Sequence, residues 1–90
     1  MREKIEIIFE NERIKVEKIQ SFGCASPEGF IYDQSEDEFV TLIKGSAKLL
    51  IRGREIELNQ GGHIYIKAHT PHIVKSVSND AEWLCVYIKS

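Results

Sequence analysis

The chain predicts an all-β fold, a small antiparallel barrel or sandwich, on three observations. Apolar and polar residues alternate with a period of two through much of its length, the pattern of strands with one buried face. Turn residues gather at short intervals between these segments, at Lys44-Gly45-Ser46, Arg52-Gly53-Arg54, Asn59-Gln60-Gly61-Gly62 and Ser78-Asn79-Asp80. No segment places apolar residues at the i, i+3, i+4 spacing of a helix.

The strands follow in order. Ile5, Ile7 and Phe9 share one parity against Glu6 and Glu10, and Ile14 and Val16 alternate with Arg13, Lys15 and Glu17. Phe39 to Ile43 is a near-continuous apolar run of strand length. Ala47, Leu49 and Ile51 oppose Lys48 and Arg52, while Ile56 and Leu58 oppose Glu55 and Glu57, with a tight turn between the two segments. His63 to Ala68, His72 to Val77 and Trp83 to Ile88 complete the series. In such a barrel alternate residues of every strand face inward and can line a pocket.

Ninety residues and 10.3 kDa hold one domain, spanning 1–90, with no repeat or linker to divide it. A core this modest favours self-association, and a homodimer is expected. Lys and Arg number 12 against 14 Asp and Glu, and the basic residues are scattered. Nucleic-acid binders depend on clustered positive charge, so that class of partner is set aside. Acidic residues break the N-terminal apolar run, and no stretch approaches the ~20 apolar residues of a membrane helix. A cytoplasmic protein without a membrane partner is the expectation. Cys24 and Cys85 fit a reducing compartment as free thiols, Cys85 as a small buried hydrophobe in the last apolar run.

Polar residues interrupt the apolar scheme in two places. One is Tyr32-Asp33-Gln34-Ser35-Glu36-Asp37-Glu38, and the other is Lys67-Ala68-His69-Thr70-Pro71-His72. Six residues separate Glu38 from Gly45, and five separate Gly61 from Lys67 at the head of the histidine segment. In this order, with a strand-turn-strand between them, the two motifs resemble those of the cupin family, and the resemblance covers residues 22–88. It implies a double-stranded β-helix of jelly-roll type.

The resemblance further implies one divalent metal, Fe, Mn, Ni or Zn, in the barrel, and a small organic molecule acted on or bound there. Family cupins hold the metal with two histidines and a glutamate from the first motif and a histidine from the second. Glu38 and His72 match the glutamate and the second-motif histidine, whereas Tyr32 and Gln34 stand where the histidine pair would be. Gln34 offers an amide oxygen. His69 is a further candidate if both rings turn inward, giving a set of two histidines and one carboxylate. Three residues apart on a straight strand would face opposite sides, but Pro71 biases Thr70 and can bend the chain. Tyr32 and Asp33 are expected in the pocket wall. His63 is read as a strand residue outside the site. Two functions stand open: a mononuclear-metal dioxygenase, isomerase or decarboxylase, and a non-catalytic ligand-binding cupin whose metal site is degraded.

Overall fold

Period-two alternation resolves into strands that bury every second residue. The computed structural model describes residues 3–23, 25–27 and 29–89. The reading of Cys24 as a free thiol lies outside them. The strands are β1 (Lys4–Glu10), β2 (Ile14–Gln20), β3 (Asp37–Lys44), β4 (Ala47–Ile51), β5 (Arg54–Leu58), β6 (His63–Ile66), β7 (His72–Val77) and β8 (Glu82–Ile88). No helix occurs among the described residues, and so none long and apolar enough to cross a membrane.

A five-stranded sheet in the order β1-β2-β8-β3-β6 faces a three-stranded sheet in the order β5-β4-β7, and every pairing is antiparallel. The expected small jelly-roll barrel is the observed architecture. Inward residues Val40 and Leu42 of β3, Trp83 and Cys85 of β8, Ile66 of β6, and Ala47 and Leu49 of β4 make the core between the sheets. Leu42 sits at its centre and is fully buried.

Turn chemistry holds the register. Arg52 and Gly53 both have positive φ, 50° and 77°, the two-residue hairpin geometry whose twist matches the flanking strands. Gly45 has φ 90°, and a Cβ there would lie 2.3 Å from Ser78 Oγ, so a side chain would push apart two turns that meet.

Two strands depart from the sequence reading. In β1 a bulge at Ile8 breaks the parity: Ile5 and Ile7 pair with Ile19 and Glu17 on the inner side, whereas Phe9 pairs with Val16 on the outer side. In β6 pairing stops at Ile66 rather than Ala68, because the next amides turn elsewhere: Ala68 N–H donates to Asp37 Oδ1 and His69 N–H to the Gln34 carbonyl.

The connection from β2 to β3 is long but tied down. Ser26 N–H donates to the Val74 carbonyl at 2.9 Å, and Val74 N–H returns to Ser26 Oγ. Tyr32 and His72 exchange both backbone bonds, at 2.8 and 3.0 Å. This bridge carries the first polar cluster across to the β7 side.

Candidate functional site

Register brings the inward residues of three strands into rows. Tyr87 of β8 lies opposite Glu38 of β3, which lies opposite Ile66 of β6. One step along, Glu17, Cys85 and Val40 form the next row. From the other sheet, Ile51 pairs with His72 and Leu49 with Val74. The rows enclose a cavity of about 510 Å³, its open mouth included. Val40, Leu49, Ile66, Val74 and Trp83 give it an apolar wall, and Glu38, His72, Gln34, Tyr32 and Tyr87 a polar one.

Glu38 is the buried acid of this wall, 6% exposed. Burial raises its pKa above the ordinary carboxylate value, because the charged form loses water. The neighbouring Cys85 thiol, the His72 imidazole and the Tyr87 hydroxyl oppose that rise, and burial prevails. Burial and the nearby Glu38 charge push the Cys85 thiol and the Tyr87 hydroxyl far upward, so both stay protonated.

His72 is equally buried. Its Nδ1 lies 2.8 Å from the Thr70 carbonyl oxygen. A carbonyl only accepts, so Nδ1 carries a proton, and in the neutral ring Nε2 is the nitrogen with the lone pair. The Tyr32 ring stacks on the imidazole at 5.3 Å and 16°, and Phe30 meets Tyr32 edge-on. Backbone bridge, carbonyl bond and stacking together fix the plane of the His72 ring.

On the far side, Trp83 Nε1 donates to Ser21 Oγ at 2.7 Å, and Ser21 Oγ donates to Glu3 Oε2 at 3.3 Å. Glu3 lines the cavity, and burial raises its pKa.

The sequence placed Glu38, His72, Gln34 and Tyr32 together, and the structure brings them to one cavity. His69 and Asp33 it does not. Residues 67–71 form a turn rather than a strand, and His69 takes a left-handed backbone with φ 58°. Its ring therefore swings outward to Asp33, with Nδ1 3.2 Å from Oδ1 and the two side chains 71% and 52% exposed. The inward pair of histidines is corrected on this ground, as is the pocket role of Asp33. Sequence reading missed Tyr87, Trp83 and Glu3, while Cys85 is the buried free thiol it expected and also lines the cavity. Both parities of β8 are apolar, and it is register against β3 that singles out Trp83, Cys85 and Tyr87 as the inward set.

A model of the cupin domain matches residues 18–87. The chain belongs to the cupin family. A structure from Ralstonia eutropha, provisionally named a mannose-6-phosphate isomerase, is 32% identical with TM-score 0.93, over 98% of this chain and 85% of that one. A cupin superfamily protein from Desulfitobacterium hafniense is 12% identical with TM-score 0.85, over 99% and 79%. KdgF from a Halomonas species is 13% identical with TM-score 0.84, over 98% and 81%. The last two share the fold alone. Among curated proteins no significant sequence match was found.

Cupins commonly hold a metal, so the donor set was tested against one. Among the described residues no three His, Cys, Asp or Glu side chains converge. Glu38 and His72 are two strong donors, and Gln34 adds a neutral amide. Divalent centres in proteins are built from three or four strong ligands. The residues present do not fit a resident centre of that kind.

Proposed function

We propose that this cupin binds a small organic molecule directly, through its side chains and without a resident metal. The apolar body of the ligand lies against Val40, Leu49, Val74 and Trp83, and its polar head meets Glu38, His72 and Gln34. One observation carries the reading: a buried acid and a buried imidazole held by a carbonyl stand in the polar wall of one open cavity whose other wall is apolar. Such convergence of a few polar groups in an apolar pocket is what ligand sites are made of. A protonated Glu38 donates, and His72 Nε2 accepts, so a hydroxy-carbonyl compound satisfies both. The described lining includes no Lys or Arg, which gives a phosphate group no cation to meet and disfavours a phosphosugar.

The same pair supports one second reading, proton-transfer catalysis. A buried acid whose pKa burial raises and an imidazole held by the Thr70 carbonyl, both in one cavity wall, form an arrangement that can move a proton across a bound molecule.

Ligand-observed NMR with a panel of hydroxyketones, diketones and phenols tests the proposal, run on wild type and on Glu38→Gln/His72→Ala. Binding to wild type that is lost in the double variant is the expected result. Equal binding to both proteins, or near-stoichiometric metal in protein purified without a His tag, overturns it. Exchange of a ligand C–H for deuterium in D2O, absent in the double variant, establishes the catalytic reading in place of simple binding.

A further inference from the structure

The cavity has a second polar end, which the hydroxy-carbonyl head described above does not reach. Along β8 the inward residues run Tyr87, Cys85, Trp83. Tyr87 stands beside Glu38, at the acid and imidazole end. The row after it carries Glu17, Cys85 and Val40. Trp83 follows one row further, about 13 Å from Tyr87 along the strand at ~3.3 Å per residue.

Trp83, Ser21 and Glu3 form a hydrogen-bonded chain whose direction is fixed by chemistry. Trp83 Nε1 can only donate, and it meets Ser21 Oγ at 2.7 Å. The single Ser21 hydroxyl hydrogen then goes to Glu3 Oε2, at 3.3 Å. Ser21 is 1% exposed and its amide is bonded to the Ala81 carbonyl, so the fold holds this hydroxyl in place. The chain ends on a carboxylate that lines the cavity. β1, which follows Glu3, is exposed at every residue, so packing does little to turn Glu3 inward, and the Ser21 bond supplies the anchor. One such bond leaves the group most of its acceptor capacity, since the two oxygens offer about four lone-pair sites.

We propose that this second end is a subsite for a cationic group: the ligand is elongated, and beyond its hydroxy-carbonyl head and apolar body it carries a protonated amine that donates to Glu3. The inference rests on the direct ligand binding proposed above and adds a second pole to it. The two ends differ in kind. Glu38 and His72 together offer a donor and an acceptor, whereas the Trp83–Ser21–Glu3 chain spends its hydrogens internally and presents acceptor capacity alone.

Charge decides the sign of the group. Glu3 and Glu38 are the acids of the described lining, and no Lys or Arg stands among them. Lys15 belongs to the Tyr87 row, at the other end, and is already engaged there: its Nζ lies 3.5 Å from Glu17 Oε2 and 5.0 Å over the Tyr87 ring. Burial raises the Glu3 pKa, the mark of a carboxylate short of water, and an incoming ammonium returns both the donors and the counter-charge. A neutral hydroxyl also donates, but charge-assisted bonds are roughly twice as strong. A carboxylate or phosphate at this end meets like charge and no donor.

Three α-hydroxyacetophenones that share one head and carry aminomethyl, methyl or carboxymethyl at the para position test the inference on the full chain. Affinities come from ligand-observed NMR titration, and the indole N–H signal of Trp83, the single tryptophan, reports on the second end directly. Wild type is expected to bind the aminomethyl probe at least ~10-fold more tightly than the methyl probe, with a shift of the Trp83 signal, and the carboxymethyl probe most weakly. Glu3→Gln is expected to bring the aminomethyl and methyl affinities together while leaving the methyl probe unchanged. Glu3→Lys, which reverses the charge, is expected to turn the preference toward the carboxymethyl probe. Glu38→Gln/His72→Ala is expected to weaken all three alike. Equal wild-type affinity for the aminomethyl and methyl probes, or a preference that survives Glu3→Gln, overturns the second pole and leaves the head-group reading standing. Failure of wild type to bind any of the three overturns the head-group reading and this inference with it.

Discussion

Two acid–histidine combinations lie close together in this sequence and meet opposite fates. Glu38 and His72 are buried in the wall of one cavity, whereas Asp33 and His69 pair on the surface at 3.2 Å. The residue types are nearly the same. What separates them is backbone: strand parity turns Glu38 inward and the Tyr32 bridge holds His72, while the left-handed residue at position 69 throws its ring out. Burial then does the chemistry. It gives Glu38 a raised pKa and His72 a single tautomer, whereas water around the outer pair dissipates most of what the contact is worth.

Substitution of the two histidines should expose the contrast most strongly. His72→Ala removes a buried ring, its stacking on Tyr32 and the donor to the Thr70 carbonyl, and is expected to cost about 2–3 kcal/mol in urea denaturation. A cost under ~0.5 kcal/mol, typical of a surface site, would erase the distinction.

The two acids differ next, in their response to pH. Because burial raises the Glu38 pKa above 4.5, the folded chain holds that proton more tightly than the unfolded chain. This group therefore costs nothing below the unfolded value and destabilises progressively as pH rises through the folded one. In chelator-treated protein, Glu38→Gln should gain stability relative to wild type as pH rises above the ordinary carboxylate value. Asp33→Asn should track wild type across the same range, staying within ~0.5 kcal/mol. Parallel curves for wild type and Glu38→Gln would mean that the inner acid is as well hydrated as the outer one.

The smallest effect belongs to the turn itself. His69→Gly relieves a left-handed conformation and should stabilise the fold by about 0.5–1 kcal/mol, the exposed ion pair offsetting a few tenths. Thermal unfolding reads the sign, and a lower Tm would show that the Asp33 contact outweighs backbone strain.

Much of this was legible beforehand. Alternation locates the strands, and the resemblance to the cupin motifs draws Glu38, Gln34 and His72 to one site. Three features lay beyond it, each for a local reason. The bulge at Ile8 moves Phe9 to the outer face, and no composition signal marks an inserted residue in Ile-Ile-Phe. The turn at Lys67–His69 ends β6 early through amide bonds to Asp37 and Gln34, partners distant in sequence. On β8, Trp83 to Ile88 is apolar at both parities, so alternation alone did not say which of Leu84 or Cys85 faced the cavity. Antiparallel register against β3 decided it. An apolar strand on both faces now has a physical meaning, since one face lines the cavity wall and the other belongs to the uncovered sheet surface.

The β2–β3 connection has a consequence for the molecule's life in crowded solution. By lying along β7 and exchanging bonds at Ser26 and Tyr32, it closes one margin of the small sheet to any incoming strand. The other margin, β5, alternates Arg54, Glu55 and Glu57 with apolar residues, and such charges discourage templating. The long apolar margin left bare is β1, Lys4–Glu10, exposed at every residue. An edge of this length offers unpaired amides and carbonyls to another strand, held in check along β1 only by Lys4, Glu6 and Glu10.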